Sequence, residues 1–412
     1  MKTIKLVCVT TDNHNKFYNM TENGDGTFLA EYGRINASAQ RKVYPMAKWD
    51  SIYAQKTGKG YRDVTSLYIE DTQTVAKTAT TTPFDSLLER LHKYAKKIVD
   101  ANYRISSRAV TKSMIAEAQK LIDELVELSK TSLKAKDYAQ KAARFNEVLI
   151  SLFQSLPRKM SKVQEFVLDE SVSYTKDELY HEMNRVIRRE QTLLDALETT
   201  ASVASDSQTE KTSGQSMPEM LGLEMKEKDA DIESTVLSML GEIKDKYVNC
   251  WYVTNTATQK RFDDNLKTKK GVHKTVKLFW HGSRNENWLS ILQNGMLIRP
   301  SGVATVGAMF GEALYFADKA RKSFGYTSAK NSYWARGTAD RAFMAIFSVN
   351  TGKHHNVYHH TSECYSFDKD YLQKKGGYDS VYAHDGADLR NDEFVVYDPA
   401  QVTIHALVEL RA

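Results

Sequence analysis

Apolar residues fall on every second position at the start of the chain, at Ile4, Leu6 and Cys8, and the pattern continues through Lys16-Phe17-Tyr18. After Asn23-Gly24-Asp25-Gly26 the run Thr27-Phe28-Leu29-Ala30-Glu31-Tyr32 resumes it. Strand alternation broken by Asn-Gly and Asp-Gly pairs predicts a small antiparallel sheet, with an attached helix, over residues 1–75. The period then changes. Phe84, Leu87, Leu88, Leu91, Tyr94 and Ile98 recur at helical spacing with charged residues between them, as do Ile115, Ala118, Leu121, Ile122 and Leu125. No glycine occurs between Gly60 and Gly214, and the prolines in that interval are Pro83 and Pro157, so an all-α bundle is expected over residues 84–199. The stretches DTQTVAKTATTTP before it and TTASVASDSQTEKTSGQSMPEM after it carry few large apolar residues and are expected to be linkers.

Residues 217–412 return to glycine-bearing sequence rich in β-branched and aromatic residues, which predicts a mixed α+β domain and makes the whole chain multidomain α+β. Three stretches in it are unusual. Leu278-Phe279-Trp280-His281-Gly282-Ser283-Arg284 stops an apolar strand at a histidine and a glycine. Asn285 or Asn287 is then expected to cap a helix that buries Trp288, Ile291 and Leu292 and ends at Gly295. A hydrogen-bonding side chain beside bare backbone at a strand end suits the mouth of a pocket. The second stretch runs from Gly307 to Asp318 and on through Lys322-Ser323-Phe324-Gly325-Tyr326, setting Tyr315 and Tyr326 around a short helix. In the third, Asn391-Asp392-Glu393-Phe394-Val395-Val396-Tyr397-Asp398, an acid opens an apolar strand. Singly, each has an ordinary explanation as a satisfied histidine, core tyrosines or an exposed acid.

Composition narrows the class. A chain of 412 residues, 41% hydrophobic and 26% charged, can bury two or three cores. It has no apolar run of 18 residues, and MKTIKLVCVTTDNHN lacks the apolar centre of a signal peptide, so an intracellular protein without a membrane partner is expected. Cys8, Cys250 and Cys364 are an odd number and too far apart for a Cys-x-x-Cys zinc site. The pairs His354-His355 and His359-His360 have no carboxylate or cysteine in a fixed pattern beside them, and no metal is expected. The phosphate-loop and dinucleotide fingerprints are missing, which argues against a nucleotide hydrolase or a Rossmann dehydrogenase. The net charge of +5 is mild, but from Arg34 to Arg62 seven basic residues face one acid, Asp50, with Tyr44, Trp49, Tyr53 and Tyr61 interleaved. That composition suits a phosphate backbone and a stacked base, or a plain solvated face.

In the first segment, Asn15-Lys16-Phe17-Tyr18, Glu31-Tyr32-Gly33-Arg34-Ile35, Tyr44-Pro45-Met46-Ala47-Lys48-Trp49 and Lys59-Gly60-Tyr61 resemble the WGR domain, a DNA-end-binding module, with Tyr32 in place of its naming tryptophan. In the last segment, HGSR, GxxFGxxLYFAD, KSxxY and an acid opening EFVVYD resemble the catalytic domain of the poly(ADP-ribose) polymerase family, the diphtheria-toxin-like ADP-ribosyltransferases. Gly376-Gly377-Tyr378-Asp379-Ser380-Val381 adds a further family-like turn. Ala308 stands where many members have a second pocket tyrosine, and Leu297 where arginine is common, with Arg299 close by.

The resemblance implies three domains: a WGR-like sheet domain at 1–75, a helical regulatory domain at 84–199 and a transferase domain at 217–412. It implies NAD+ as substrate, with His281, Tyr315 and Glu393 as the catalytic triad. His281, Gly282, Ser283, Gly307, Tyr315, Phe316, Ala317, Lys322, Ser323 and Tyr326 would line the NAD+ site, Tyr326 stacking on nicotinamide and Lys322 serving the acceptor side. Tyr32, Arg34, Arg41, Lys42, Lys48, Trp49 and Lys59 would bind nucleic acid. The expected protein is a monomeric polymerase switched on by DNA ends or breaks in DNA damage response, restrained until then by its helical domain. It would modify proteins including itself, in the nucleus of a eukaryote or in the cytoplasm for a bacterial or viral source. A single-unit (mono-ADP-ribosyl) transferase and a non-catalytic DNA-end binder are the rival readings.

Overall fold

A computed structural model describes residues 1–68, 82–105, 109–131, 137–206, 216–298, 309–386 and 388–412. They form two compact units, one of Met1–Val75 with Lys96–Thr209, the other of Ala76–Ala95 with Glu210–Ala412. Gly307, Ala308, Arg299, the 301–306 stretch and the first linker up to residue 81 lie outside the described residues.

In the first unit, β1 (Thr3–Thr10), β2 (His14–Glu22), β3 (Thr27–Arg34), β4 (Gln40–Pro45) and β5 (Arg62–Asp63) make an antiparallel sheet in the order β4-β3-β2-β1-β5. The predicted turn closes β2 onto β3: Gly24 and Gly26 take left-handed φ of 81° and 82°, and Asp25 accepts the Thr27 N–H at 2.9 Å. Helix α1 (Trp49–Thr57) covers one face, where Leu6, Tyr18, Met20, Phe28, Ala30 and Trp49 form the core.

Four helices follow: α2 (Asp85–Asn102), α3 (Lys112–Lys130), α4 (Tyr138–Ser155) and α5 (Lys176–Asp206). Helix α3 starts where Thr111 accepts the Met114 N–H at 3.1 Å, and it buries Met114, Ala118, Leu121, Ile122 and Leu125 in one stripe. One expectation fails here. The segment TTASVASD continues α5 to Asp206 instead of opening a linker. The Thr199 and Thr200 hydroxyls donate to the carbonyls of Asp195 and Ala196, at 2.8 and 2.9 Å, so side chains that usually compete with a helix are satisfied inside it. Leu197 and Ala201 bury the same face.

The fulcrum of this unit is Arg158. Its guanidinium is fully buried, ion-paired with Glu190 of α5, and surrounded by the rings of Tyr103, Phe153 and Phe166 at 5.2, 5.8 and 5.5 Å. Its carbonyl accepts from Asn15 Nδ2 at 3.0 Å, and the neighbouring Arg104 donates to the Ile35 carbonyl at 2.8 Å while lying 3.9 Å over Phe17. The sheet and the helices are thereby tied around Arg158, through its backbone carbonyl and the neighbouring Arg104. A buried ion pair contributes little over a hydrophobic replacement, but removing Arg158 leaves the buried Glu190 with Arg189, at 2.7 Å, as its remaining cation. Arg158→Met is therefore expected to lower the unfolding free energy in urea by about 3–5 kcal/mol, and Arg158→Met with Glu190→Met to recover most of that loss.

The second unit holds α6 (Met217–Met220), β6 (Leu223–Glu227), α7 (Ala230–Leu240), β7 (Tyr247–Asn255), α8 (Thr256–Thr268), β8 (Val276–Gly282), α9 (Trp288–Asn294), β9 (Leu314–Phe316), α10 (Ala320–Phe324), β10 (Arg341–Asn350), β11 (His354–Val357), α11 (Lys369–Gly376), β12 (Ser380–Ala383), β13 (Glu393–Val396) and β14 (Val402–Arg411). They build two sheets, ordered β6-β7-β14-β10-β8 and β11-β12-β13-β9. The first is antiparallel throughout, and the second has a parallel β11–β12 pair. Among the described residues one β-bridge joins the sheets, where Trp280 and Ala317 exchange N–H···O bonds of 2.8 and 3.0 Å. The first part of α2 belongs to this unit. Its Arg90 makes a two-pronged bond to Glu409 of β14, at 2.9 and 3.0 Å, and Glu409 is buried.

Candidate active site

The junction of the two sheets carries a cleft of about 250 Å³ lined by His281, Gly282, Met296, Leu297, Ala313, Leu314, Tyr315, Phe316, Ala317, Lys322, Ser323, Tyr326 and Glu393. The register explains the gathering. Trp280 is bridged to Ala317, so the next residue on β8, His281, comes beside the end of β9, and its Nδ1 lies 3.1 Å from the Tyr315 carbonyl. Tyr315 pairs with Val395 across β9 and β13, and strand alternation then puts Glu393 on the same sheet face as Tyr315.

His281 sits edge-on to Trp288, Phe316 and Phe347 at 6.3, 5.9 and 6.1 Å. Burial in this aromatic cage pushes its pKa down, against the opposing pull of the Tyr315 carbonyl, and the ring is neutral at pH 7. A carbonyl can only accept, so Nδ1 carries the proton and Nε2 is left as an acceptor. Tyr315 is held at its tip: its hydroxyl donates to the Gly311 carbonyl at 2.7 Å and accepts the Phe310 N–H at 3.1 Å, and burial raises its pKa. Gly311 takes a left-handed φ of 81°, and a Cβ there would meet the Phe367 carbonyl at 2.1 Å. The Tyr326 hydroxyl is pushed up to about 12 by burial, with the charge of Glu393 adding to it.

Glu393 is 5% exposed and pairs with Lys322 Nζ at 3.1 Å. Burial raises its pKa, and the lysine charge and hydrogen bond pull it back. Lys322 is fixed in turn by the Asn391 and Asp392 carbonyls at 3.1 and 3.3 Å. A carboxylate so placed is poorly solvated, directed and close to one cation. It can accept from a hydroxyl or stand against a developing positive charge.

Several expectations change on this geometry. Gly282 is required by the protein itself, since a Cβ would lie 1.9 Å from the Ser323 carbonyl oxygen. Ser283 is not among the lining residues, and its hydroxyl accepts from Asn287 Nδ2 at 3.0 Å. Asn287 stands at the N-cap of α9 but makes no side-chain capping bond. Asn285 is buried and donates to the Arg341 carbonyl at 2.9 Å, while Gly295 does end α9, with φ of 76°. Lys322, expected on the acceptor side, pairs directly with Glu393. Met296, Leu297, Ala313 and Leu314 were not anticipated as lining, because apolar side chains carry no chemical signature in a sequence. The four clustered histidines disperse: His354 packs on Tyr382, His355 on Phe367 and Tyr378, and His360 Nε2 bonds the Met309 carbonyl at 2.7 Å. Among the described residues no group of three or more His, Cys, Asp or Glu could hold a metal ion, and Cys8, Cys250 and Cys364 are free and buried.

The expected nucleic-acid residues divide. Trp49 is buried against Phe28, with centroids 5.0 Å apart, so it has no face to offer a base, and that assignment is withdrawn. Arg34 spends its guanidinium on Asn13 and on the Ser161 carbonyl, at 3.1 and 3.2 Å. Tyr32 is half-buried and stacks on Tyr18 at 5.2 Å. Arg41 pairs with Glu31 at 2.8 Å and is largely exposed. Lys42, Lys48 and Lys59 are exposed, Lys42 with its ammonium 4.9 Å over Tyr44.

The family model "Poly(ADP-ribose) polymerase catalytic domain" matches residues 224–412, the span that contains the whole cleft. The "Uncharacterized protein 101L" of Invertebrate iridescent virus 6 is 30% identical over 193 residues, covering 47% of this chain and 75% of that protein. The chain belongs to the poly(ADP-ribose) polymerase family. The "Poly [ADP-ribose] polymerase" of Drosophila melanogaster is 31% identical over 180 residues, 40% of this chain but 18% of that protein. "Poly [ADP-ribose] polymerase 2" of Homo sapiens is 48% identical over 52 residues, 13% of this chain and 9% of that protein. The matches to these two cellular polymerases thus span less than a fifth of their length, and the match to the viral protein spans three quarters of it. A poly(ADP-ribose) polymerase catalytic domain is an ADP-ribosyltransferase domain, and its substrate is NAD+. No described helix is long and apolar enough to cross a membrane.

Two measurements follow from this geometry. Lys322 holds the raised Glu393 pKa down, so Lys322→Met should raise it further. The carboxylate is lost as pH falls through that pKa, and the acid limb of NAD+ consumption should therefore move to higher pH in Lys322→Met; a limb that stays in place or moves to lower pH would contradict the pairing. Gly282→Ala should destabilise the second unit by about 1–3 kcal/mol in thermal unfolding, with or without ligand, because its Cβ meets protein backbone.

Proposed function

We propose that the chain transfers ADP-ribose from NAD+ to proteins, itself included, builds polymers, and is activated by DNA ends or breaks. The observation that carries the transfer reading is the buried, lysine-paired Glu393 facing the same cleft as a neutral His281. Breaking the bond between nicotinamide and ribose builds positive charge on the sugar, and a fixed carboxylate stabilises that charge most in the transition state. Glu393 would accept a hydrogen bond from a hydroxyl of the nicotinamide ribose and later orient the acceptor hydroxyl. His281 Nε2 would accept from a hydroxyl of the adenosine ribose. Gly282 would offer its backbone, and Ser323 its hydroxyl, to the carboxamide, while Tyr326 stacks on the nicotinamide ring and Tyr315 closes the wall.

The DNA reading rests on the first sheet domain, which exposes Arg41 and Lys42 on the edge strand β4, Lys48 just before α1 and Lys59 just after it. Cations of this kind suit a phosphate backbone. Residues 1–75, 84–199 and 217–412 would serve as DNA-binding, regulatory and transferase segments. The helical segment would restrain the transferase until DNA engages the first. The anchoring of α2 to β14 through Arg90 and Glu409 gives that restraint a physical handle inside the catalytic unit.

Labelled NAD+ is incubated with the wild type and with Glu393→Gln, with and without nicked or blunt DNA. The wild type should label protein, DNA should increase the label, and Glu393→Gln should lose about 10²–10³-fold in rate. No labelling by the wild type under any DNA condition ends the enzyme reading. Ladders on a gel support a polymerase, and single-unit products assign the chain to mono-ADP-ribosyl transfer.

A further inference from the structure

Tyr326 lines the cleft, and the indole of Trp334 lies against its ring with centroids 6.1 Å apart and planes 19° from parallel. Trp334 is not among the lining residues. The other four tryptophans are buried, whereas Trp334 is 49% exposed.

An indole half in water would ordinarily be free to swing, but the backbone holds this one. The N–H groups of Trp334 and Ala335 both donate to the Gly325 carbonyl, at 2.9 and 3.0 Å. Arg284, two residues past Gly282, donates to the Ala335 carbonyl at 3.0 Å, which ties the same turn to the segment that follows β8. The Gly337 N–H donates to Ser332 Oγ at 2.8 Å. The turn passes through left-handed φ at Asn331 (65°) and Arg336 (48°), a conformation non-glycine residues adopt only when their surroundings enforce it. Tyr333 meets the indole edge-on, with centroids 4.6 Å apart. The room for the indole comes from Gly325, where a Cβ would lie 3.0 Å from Trp334 Cδ1.

We propose that Trp334 is a positioning residue for the nicotinamide end of NAD+: it backs the ring of Tyr326 and holds it in the plane against which nicotinamide stacks. This rests on the nicotinamide-stacking role given to Tyr326 above. Offset aromatic pairs of this kind stabilise one ring orientation beyond their buried area. A tyrosine without its backing ring samples more orientations and presents less stacking surface to the ligand on its other face. Because a ring stacked on substrate acts in the ground state and the transition state alike, its loss should appear in KM more than in kcat.

The test is calorimetric titration with nicotinamide alone, together with steady-state NAD+ kinetics, on the full chain. Trp334→Ala should weaken nicotinamide binding and raise the NAD+ KM by about three- to tenfold, with kcat within about twofold. Trp334→Phe should restore both, since a flat ring remains. Gly325→Ala should reproduce part of the defect, because its Cβ pushes the indole aside while leaving a helical φ intact; it carries the test if Trp334→Ala does not fold. If the wild type binds no nicotinamide, the reading of the pocket fails and this inference with it. If the wild type binds and Trp334→Ala binds equally well, only the role of Trp334 is overturned. A fall in kcat at unchanged KM, or a Phe variant as impaired as the Ala variant, overturns it too.

Discussion

Two backbone hydrogen bonds between Trp280 and Ala317 hold the active cleft together, because among the described residues they form the β-bridge between the two sheets of the second unit. Everything polar in the site is counted from that joint. One residue beyond Trp280 comes His281, whose ring bonds the carbonyl of Tyr315 on the other sheet. Five residues past Ala317 comes Lys322, carried on α10, and it reaches across to Glu393. A slip of one position at this bridge would turn His281 to the opposite face and separate it from the carboxylate. The rings of Phe279, Phe316, Phe347 and Phe394 pack around the joint, so the register is fixed by burial as well as by hydrogen bonds.

The electrostatics of the cleft are set by what surrounds each group more than by its chemical type. His281 is half-buried in its aromatic cage and Glu393 is buried, and desolvation drives both toward neutrality: the histidine is left uncharged, whereas the glutamate is held toward ionisation by Lys322. The result is one neutral acceptor and one anchored carboxylate in the same cavity. The Arg158–Glu190 pair in the first unit has an equally buried charge, with aromatic rings around the guanidinium and a backbone bond from Arg158 to the sheet. The two pairs show the same penalty used for different ends.

Much of this was legible in residue order. Period-two alternation and the Asn-Gly-Asp-Gly turn marked β1 to β3, and the unbroken helical period marked α2 to α5. His281, Tyr315, Tyr326 and Glu393 stand out only together, through the resemblance of their motifs to the transferase family, because each alone has an ordinary structural explanation. The failures have local causes. The tail of α5 reads as a linker because serine and threonine compete with helices, and nothing in the residue order says that their hydroxyls will bond back along the helix. Trp49 reads as a stacking residue because it sits among lysines, but it is the apolar anchor of a small sheet. Lys322 lies 71 positions from Glu393, and only the sheet topology brings them together. The apolar wall of the cleft was invisible, since leucine and alanine look alike in a core and in a pocket.

The clearance at Gly282 separates architecture from chemistry in an unexpected way. With the Ser323 carbonyl oxygen 1.9 Å from where a side chain would begin, glycine is demanded by the joint between β8 and α10 whether or not any ligand ever arrives. A descendant that had abandoned transfer would still have to keep it. The opposite holds for Lys322 and Glu393, two charges withdrawn from water at a cost to stability that a methionine and a glutamine would relieve. Drift would erase that pair first. Gly282 thus serves the fold itself, whereas the Lys322–Glu393 pair is held at the fold's expense.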